Sequence, residues 1–284
     1  STRVPIDERY STQWHYDQIR LPEAWDITTG SSDVKVAVID TGIFVAHPDL
    51  AARLSEDGFD FINNAYNAGD GEEVNEDSNG NGVLDPGEDI DGDNYLDDGQ
   101  EIDNDADDPG DGYENPYCGG SDYSSSFHGT HVAGTVGAET NNDDDFEDIN
   151  ENGILDLGED IDSDGILDTA GDGSGNGVAG VTWTGEIMNL RVLGCAGGYD
   201  FDIANAIRYA AGLENQAGII VDDPADIANM SLGGGGTSST MSNAISDATA
   251  AGLIIVAAAG NSATELPSYP AAYTNVISVS ATLT

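Results

Sequence analysis

The alternation of short apolar runs with two helical segments constrains the fold of this chain more than any other feature. Strands are predicted at 34–39, 187–193, 227–232, 253–259 and 276–281, and helices at 203–211 and 239–251. This alternation predicts an α/β fold with a parallel β-sheet flanked by helices on both faces. Functional residues of such sheets gather at the carboxyl ends of the strands, where Asp40, Gly233 and Asn261 fall.

Acidic residues dominate the charge, with 54 Asp and Glu against 7 Lys and Arg and a formal net charge of −47 at pH 7. They are concentrated in residues 70–114 and 139–172, which contain 19 and 14 acidic residues and no basic ones. Because this charge repels phosphates, we expect no nucleic-acid partner and no anionic membrane partner. The sequence also contains no apolar run long enough to span a membrane.

The two acidic segments repeat one another, since residues 76–91 match residues 147–162. We therefore expect a single domain over 1–284 that carries two insertions, 70–114 and 139–172. Each insertion contains a loop with oxygen-bearing side chains, a glycine and a final glutamate at the spacing of a Ca²⁺-binding loop, which makes calcium the predicted cofactor. The predicted ligands are Asp77, Asn79, Asn81, Val83 (by its carbonyl), Asp85, Glu88, Asp148, Asn150, Asn152, Ile154 (by its carbonyl), Asp156 and Glu159.

Adjoining loops that begin at Asp89 and Asp160 depart from this pattern and are predicted to be weaker sites. The flanking residues do not predict long helices, so the insertions resemble tandem dockerin-type repeats rather than paired EF-hands. Without metal, the carboxylates would repel one another and the insertions would lose their order. The alternative interpretation is that the insertions are solvated acidic loops.

Three short motifs carry the chemistry. Residues 38–42 are Val-Ile-Asp-Thr-Gly, residues 128–134 are His-Gly-Thr-His-Val-Ala-Gly, and residues 259–261 are Ala-Gly-Asn. In this order they resemble the motifs of subtilisin-like serine proteases (subtilases), whereas an aspartic protease would need a second Asp-Thr-Gly-like motif. The resemblance implies that Asp40 orients the imidazole, His128 is the general base, and Asn261 donates its amide to the oxyanion. The substrate would be a protein or peptide.

In this family the nucleophilic serine follows the oxyanion asparagine by several tens of residues, in a Gly-Thr-Ser-Met-like motif. Only 23 residues follow Asn261, and they contain no such motif. Residues 236–241 look similar but precede Asn261, so we interpret Thr237 or Ser238 as a helix N-cap. We therefore expect the nucleophile to lie beyond Thr284, and this chain by itself to hydrolyse peptides inefficiently.

The resemblance also assigns residues to a substrate cleft. A bound peptide would pair with the backbone of residues 231–233, and the main specificity pocket would lie between residues 258–260 and residue 268. Because these side chains are small and uncharged, we expect broad specificity with a preference for large apolar side chains. The assigned residues are Ser231, Leu232, Gly233, Ala258, Ala259, Gly260 and Ser268.

Two further features are implied by the resemblance. Some family members hold Ca²⁺ near the N-terminus, and Asp49 and Asp7 match two of its ligand positions, with residues 172–178 completing the site. Cys118 and Cys195 lie in segments that approach the cleft from the same side in this fold. They are expected to form either a disulfide or two free thiols.

The sequence therefore predicts a secreted, monomeric, calcium-stabilised serine endopeptidase. The main alternative is a non-catalytic, calcium-dependent binding or structural protein that reuses the fold, because the nucleophile is absent from this sequence. An acidic intracellular protease of a halophile is disfavoured, because the acidic residues are clustered rather than spread along the chain.

Overall fold

The computed structural model describes residues 3–5, 7, 9–45, 47–61, 127–141, 177–194 and 197–281. They fall into two compact units. The sheet unit comprises the described parts of Lys35–Ala46, Leu54–Val132 and Ile187–Thr284, and the aromatic unit comprises those of Ser1–Val34, His47–Arg53 and Ala133–Glu186. In the described part of the chain, no helix has the length and apolar composition needed to cross a membrane.

The sheet unit is built on six strands: β1 (Lys35–Asp40), β2 (Phe59–Asp60), β3 (Glu186–Arg191), β4 (Ile227–Met230), β5 (Ile254–Ala258) and β6 (Val276–Val279). Their order in the sheet is β2-β3-β1-β4-β5-β6. The pairs β2/β3, β1/β4, β4/β5 and β5/β6 are parallel. This parallel sheet with its helices confirms the predicted α/β fold class.

The α-helices are α1 (His15–Gln18), α2 (Leu21–Trp25), α3 (His128–Gly137), α4 (Asp200–Ala210) and α5 (Ser239–Ala251). The helix predicted at 239–251 is confirmed as α5 with the same bounds. Ser238 is its N-cap, because Ser238 Oγ accepts a hydrogen bond from Met241 N at 3.4 Å. Gly252, at φ +117°, provides the left-handed residue that ends the helix. Ser238 therefore has the structural role that the sequence predicted.

Four of the predicted strands run one or two residues past their observed carboxyl ends. The reason is that apolar or small residues continue from β3, β4, β5 and β6 into the turns that follow them. Strand β2 was not predicted, because two residues are too few to show a period of two.

One face of the sheet packs against α4 and α5 around a buried apolar cluster. The cluster takes Ala37 and Ile39 from β1, Leu190 from β3 and Ile255 from β5. Since successive strand residues point to opposite faces, Asp40 points away from this cluster. The catalytic candidate of β1 thus lies on the other face of the sheet.

The strand register brings the predicted site segments to one edge. Val38 pairs with Asn229, and Asn229 pairs with Val256, so β1, β4 and β5 are aligned neighbours. All three strands run in the same direction. Asp40, the last residue of β1, and the residues that follow β4 and β5, 231–233 and 259–261, therefore come to the carboxyl edge of the sheet, as predicted for an α/β site.

The aromatic unit is held by buried rings and by polar ties between distant segments. Tyr16 and Trp25 pack edge to face with ring centroids 5.6 Å apart. Tyr16 Oη donates to the carbonyl of Ala179 at 2.6 Å, and Gln13 exchanges two hydrogen bonds of 2.9 Å with the backbone of the same residue. Burial raises the pKa of the Tyr16 phenol far above its usual value, which keeps it a hydrogen-bond donor.

Candidate active site

Asp40 is the last residue of β1, and its side chain is only 1% exposed. Asp40 Oδ1 lies 2.6 Å from His128 Nδ1 and accepts a hydrogen bond from Thr41 N at 2.7 Å. Because an ionised carboxylate can only accept, Nδ1 of the imidazole carries the shared proton and Nε2 is the basic nitrogen. With its side chain 49% exposed, His128 can present that nitrogen to a substrate. A buried carboxylate hydrogen-bonded to an accessible imidazole is the arrangement that general-base catalysis requires.

The amino end of α3, where His128 lies, is attached to the turn after β1 by two threonine hydroxyls. Thr41 Oγ1 accepts a hydrogen bond from Gly129 N at 2.9 Å, and thereby caps one of the unpaired amides that begin a helix. Thr130 Oγ1 accepts a hydrogen bond from Phe44 N at 2.9 Å. One hydrogen bond thus runs from the start of α3 to the turn after β1, and the other runs from that turn to α3. Together they fix the two segments relative to each other.

A close backbone contact completes this attachment. A Cβ atom added to Gly129 would lie 2.1 Å from the carbonyl oxygen of Gly42, which is far inside van der Waals contact. Gly42 itself has φ +99°, a conformation that side chains with a Cβ rarely adopt. Both glycines are therefore required by the geometry that brings His128 to Asp40.

Sequence reasoning missed these positioning roles. The signal was present, because Thr41, Gly42, Gly129 and Thr130 are the immediate neighbours of Asp40 and His128 in the two motifs. Sequence alone does not reveal that the neighbours of one motif contact those of the other.

Several of the residues predicted for the specificity pocket lie together in the sheet unit. A Cβ atom added to Gly233 would lie 2.8 Å from Ser268 Oγ and 3.8 Å from the carbonyl oxygen of Ala258. A Cβ on Gly260 would lie 3.4 Å from the same Ser268 hydroxyl. The loop that carries Ser268 is held by two backbone hydrogen bonds of 2.9 Å between Gly234 and Tyr269.

The other predicted cleft residues flank this group. Ser231 Oγ accepts a hydrogen bond from Asn229 Nδ2 at 3.1 Å, and Leu232 packs against the apolar cluster of the sheet. Ala259 N donates to the carbonyl of Val279 at 2.8 Å, which fixes the residue after β5. Asn261 follows Gly260 at the end of β5 and is exposed, so its amide is accessible to a ligand.

In the aromatic unit, the two aspartates predicted for the N-terminal calcium site are both buried. Asp7 is 3% exposed and its Oδ1 accepts a hydrogen bond from Asn141 N at 3.1 Å. Asp49 is 6% exposed and its Oδ2 accepts a hydrogen bond from Val178 N at 3.1 Å. A Cβ on Gly177 would lie 2.9 Å from Asp49 Oδ1, so the glycine keeps space next to that oxygen. Buried carboxylate oxygens are donors that suit Ca²⁺.

The remaining predicted ligands and thiols lie outside the described residues. These are the calcium-loop positions of both insertions and the two cysteines: Asp77, Asn79, Asn81, Val83, Asp85, Glu88, Asp148, Asn150, Asn152, Ile154, Asp156, Glu159, Cys118 and Cys195.

Comparison with known proteins places the motifs in a family context. The model of the Subtilase family matches residues 31–284. The chain belongs to the subtilase family. Among solved structures, proteases from Pseudoalteromonas arctica PAMC 21717 superpose with a TM-score of 0.65 at 35% identity, over 97% of this chain and 65% of that chain.

Curated relatives of this subtilase are longer than the chain. An extracellular protease of Xanthomonas campestris pv. campestris is 38% identical over 291 residues, which are 99% of this chain and 39% of that protein. An extracellular basic protease of Dichelobacter nodosus is 33% identical, over 98% of this chain and 38% of that protein. The chain thus spans about two fifths of the length of these two relatives.

The contact between Gly129 and Gly42 generates a test. Gly129→Ala would force a methyl group into the Gly42 carbonyl and displace the start of α3, so any peptide turnover that depends on the contact between Asp40 and His128 is expected to fall by roughly 10². Gly134→Ala, in the same helix, is the matched control, because its methyl group would meet only Val178 Cγ2 at an ordinary 3.8 Å. Equal turnover in both variants would contradict a positioning role for the close contact.

Proposed function

We propose that the full-length protein is a secreted serine endopeptidase that hydrolyses peptide bonds of protein substrates. The observation that carries this proposal is the 2.6 Å contact between buried Asp40 and half-exposed His128 at the carboxyl edge of a parallel sheet. Two relatives that are themselves named extracellular proteases support both the chemistry and the secretion.

The proposed mechanism assigns one task to each side chain. Nε2 of His128 takes the proton from a serine hydroxyl as that oxygen attacks the substrate carbonyl, and later gives it to the leaving amine. Asp40 holds the ring in the required tautomer and stabilises the imidazolium as it forms. Asn261, exposed after β5, donates its amide to the oxyanion. The serine is proposed to lie in the part of the protein that follows Thr284.

Mutation of the two paired residues tests the proposal. In the full-length protein, Asp40→Asn or His128→Ala is expected to lower kcat by roughly 10⁴, because the base loses its orientation or is absent. His131→Ala, one turn further along α3, is the control and is expected to keep kcat.

Peptide hydrolysis measured on purified variants decides between the outcomes. Full activity in the Asp40 and His128 variants would refute the assignment. A wild-type protein that hydrolyses no peptide and reacts with no fluorophosphonate would instead favour a non-catalytic binding protein.

For specificity, we propose a pocket bordered by Gly233, Gly260, Ala258 and Ser268 that accepts large apolar side chains. The Ser268 hydroxyl lies close to both Gly233 and Gly260, and neither glycine contributes a side chain to this group. No charged residue belongs to this group, which disfavours selection of Lys or Arg side chains by ion pairing.

Narrowing that pocket gives a second test. Gly233→Ala would place a methyl group 2.8 Å from Ser268 Oγ, and is expected to reduce kcat/KM for peptides with Phe or Tyr before the scissile bond more than for peptides with Ala. The selectivity change expected from blocking such a pocket is about 10–200-fold. Gly235→Ala, whose methyl group would meet nothing within 4 Å, is the matched control. An equal loss for both peptide series would contradict the pocket assignment.

We also propose that calcium stabilises the protein, at the N-terminal site and in the two acidic insertions. At the N-terminal site, Asp7 and Asp49 would supply carboxylate oxygens. The ion would offset the cost of burying two negative charges, and no step of peptide hydrolysis requires it. The proposed monomeric state and the insertion ligands rest on sequence alone.

Removal of one carboxylate tests the N-terminal site without reference to activity. Asp49→Asn is expected to bind one Ca²⁺ fewer and to show a smaller rise in Tm when calcium is added. For each kcal/mol of calcium-binding free energy that the variant loses, this rise in Tm is expected to shrink by about 2–4 °C. Asp33→Asn, which changes an exposed carboxylate of the same unit, is the control. Calcium titration followed by calorimetry gives both quantities, and an unchanged stoichiometry in Asp49→Asn would overturn the site.

A further inference from the structure

Three charged side chains lie at the carboxyl ends of three adjacent strands, on the same face of the sheet. The apolar cluster takes Phe59 from β2, Leu190 from β3 and Ile39 from β1. The next residue of each strand points to the opposite face, because side chains alternate along a strand. Those next residues are Asp60, Arg191 and Asp40. The candidate catalytic carboxylate is therefore the end member of a row of charged groups.

Arg191 and Asp60 form a fully buried ion pair within this row. Arg191 Nη1 donates to Asp60 Oδ2 at 2.8 Å, and the two side chains are 4% and 0% exposed. Asp60 and Arg191 are also a registered pair of the β2/β3 ladder. Because such a pair is costly to desolvate, stability alone is a weak reason for an ion pair to lie next to a reactive group.

Backbone hydrogen bonds put Arg191 beside Asp40. The carbonyl oxygen of Asp40 accepts from Val192 N at 2.9 Å and from Leu193 N at 3.1 Å, the two amides that follow Arg191. Strands β3 and β1 are neighbours in the sheet, and adjacent strands lie about 4.8 Å apart. Arg191 and Asp40 therefore occupy adjacent positions of the sheet, with their side chains on the same face.

Charge balance explains why a cation is needed there. Asp40 and Asp60 are both buried carboxylates, and only β3 separates the two strands that carry them. Arg191 lies on the strand between them and neutralises one of the two charges. In the proposed reaction, His128 neutralises the other when it becomes an imidazolium.

We propose that Arg191, fixed by its ion pair with Asp60, is a positioning residue that keeps Asp40 charged and aligned as the hydrogen-bond acceptor of His128. This inference rests on the proposed function for its kinetic readout. The competing possibility is that the ion pair only ties β2 to β3, in which case its loss lowers stability and leaves catalysis unchanged.

The experiment replaces the ion pair by neutral groups of similar size, Arg191→Met with Asp60→Asn, in the full-length protein. Replacing both partners avoids leaving one charge buried and unpaired. We expect kcat to fall at least about tenfold with KM within about twofold, measured below the Tm of every variant. Arg191→Lys, which keeps the positive charge, is expected to recover most of the loss.

An ion pair at the other end of β1, with a buried lysine and a partly exposed aspartate, provides the control. Lys35 Nζ donates to Asp57 Oδ2 at 2.8 Å, and the Lys35 side chain is 7% exposed. Lys35→Met with Asp57→Asn is expected to lower Tm and to leave kcat within about twofold of wild type. Equal kcat in the two double variants, after correction for the folded fraction, overturns the proposal.

A spectroscopic readout separates this inference from the proposed function. The proton between His128 Nδ1 and Asp40 gives a downfield ¹H NMR resonance that is visible whether or not the protein cleaves peptides. We expect the resonance to move upfield or broaden in the Arg191/Asp60 double variant and to stay in place in the Lys35/Asp57 variant. An unmoved resonance in both overturns the inference, whereas a protein with the resonance but without hydrolysis overturns only the proposed function.

If the double variant does not fold, Asp60→Asn is the second variant, because it keeps the guanidinium and removes the carboxylate that fixes it. We expect kcat to fall and the downfield resonance to move or broaden, because the guanidinium is no longer held in place. Unchanged kcat together with an unmoved resonance in Asp60→Asn would show that the ion pair does not position Asp40, and would overturn the proposal.

Discussion

A carboxylate that is 1% exposed at the end of a strand must be compensated by its surroundings, and for Asp40 the hydrogen bonds to Oδ1 supply part of that compensation. Its Oδ1 accepts hydrogen bonds from Thr41 N and His128 Nδ1. Its backbone carbonyl accepts two more, from the amides that directly follow β3. The start of α3, the turn after β1 and the end of β3 are thus all fixed relative to one residue. Burial makes each hydrogen bond stronger than it would be in water, and makes each missing bond more costly.

Much of the fold was predictable, because parallel sheets leave clear local signals. The apolar runs that became β1, β3, β4, β5 and β6 are long enough to be recognised, and Gly252 marks the end of α5 by its left-handed conformation. The meeting of Asp40, residues 231–233 and residues 259–261 at one edge follows from strand direction alone. For such features, local sequence and topology are sufficient.

Other features could not be predicted, because they depend on contacts between segments far apart in sequence. The glycine requirement at position 129 exists only because the Gly42 carbonyl comes so close. The hydroxyl of Thr41 caps a helix 88 residues away, and no local rule assigns a cap from another segment. The polar ties between Gln13 and Ala179 span 166 residues and are equally invisible in the sequence pattern. All three features are set by contacts of the tertiary structure.

The sequence separation of the Asp40–His128 pair also affects how the protein folds. The pair closes a loop of 88 residues, and Asp60 and Arg191 are 131 residues apart. Lengthening a loop has a small thermodynamic cost, roughly 0.6 kcal/mol for each doubling, so a segment as long as 70–114 is tolerated between the two halves of the site. The kinetic cost is larger, because a parallel sheet made of such distant pairings has a high contact order and folds slowly. Before these distant strands pair, the chain must pass through states whose strand edges are unpaired and therefore prone to aggregation.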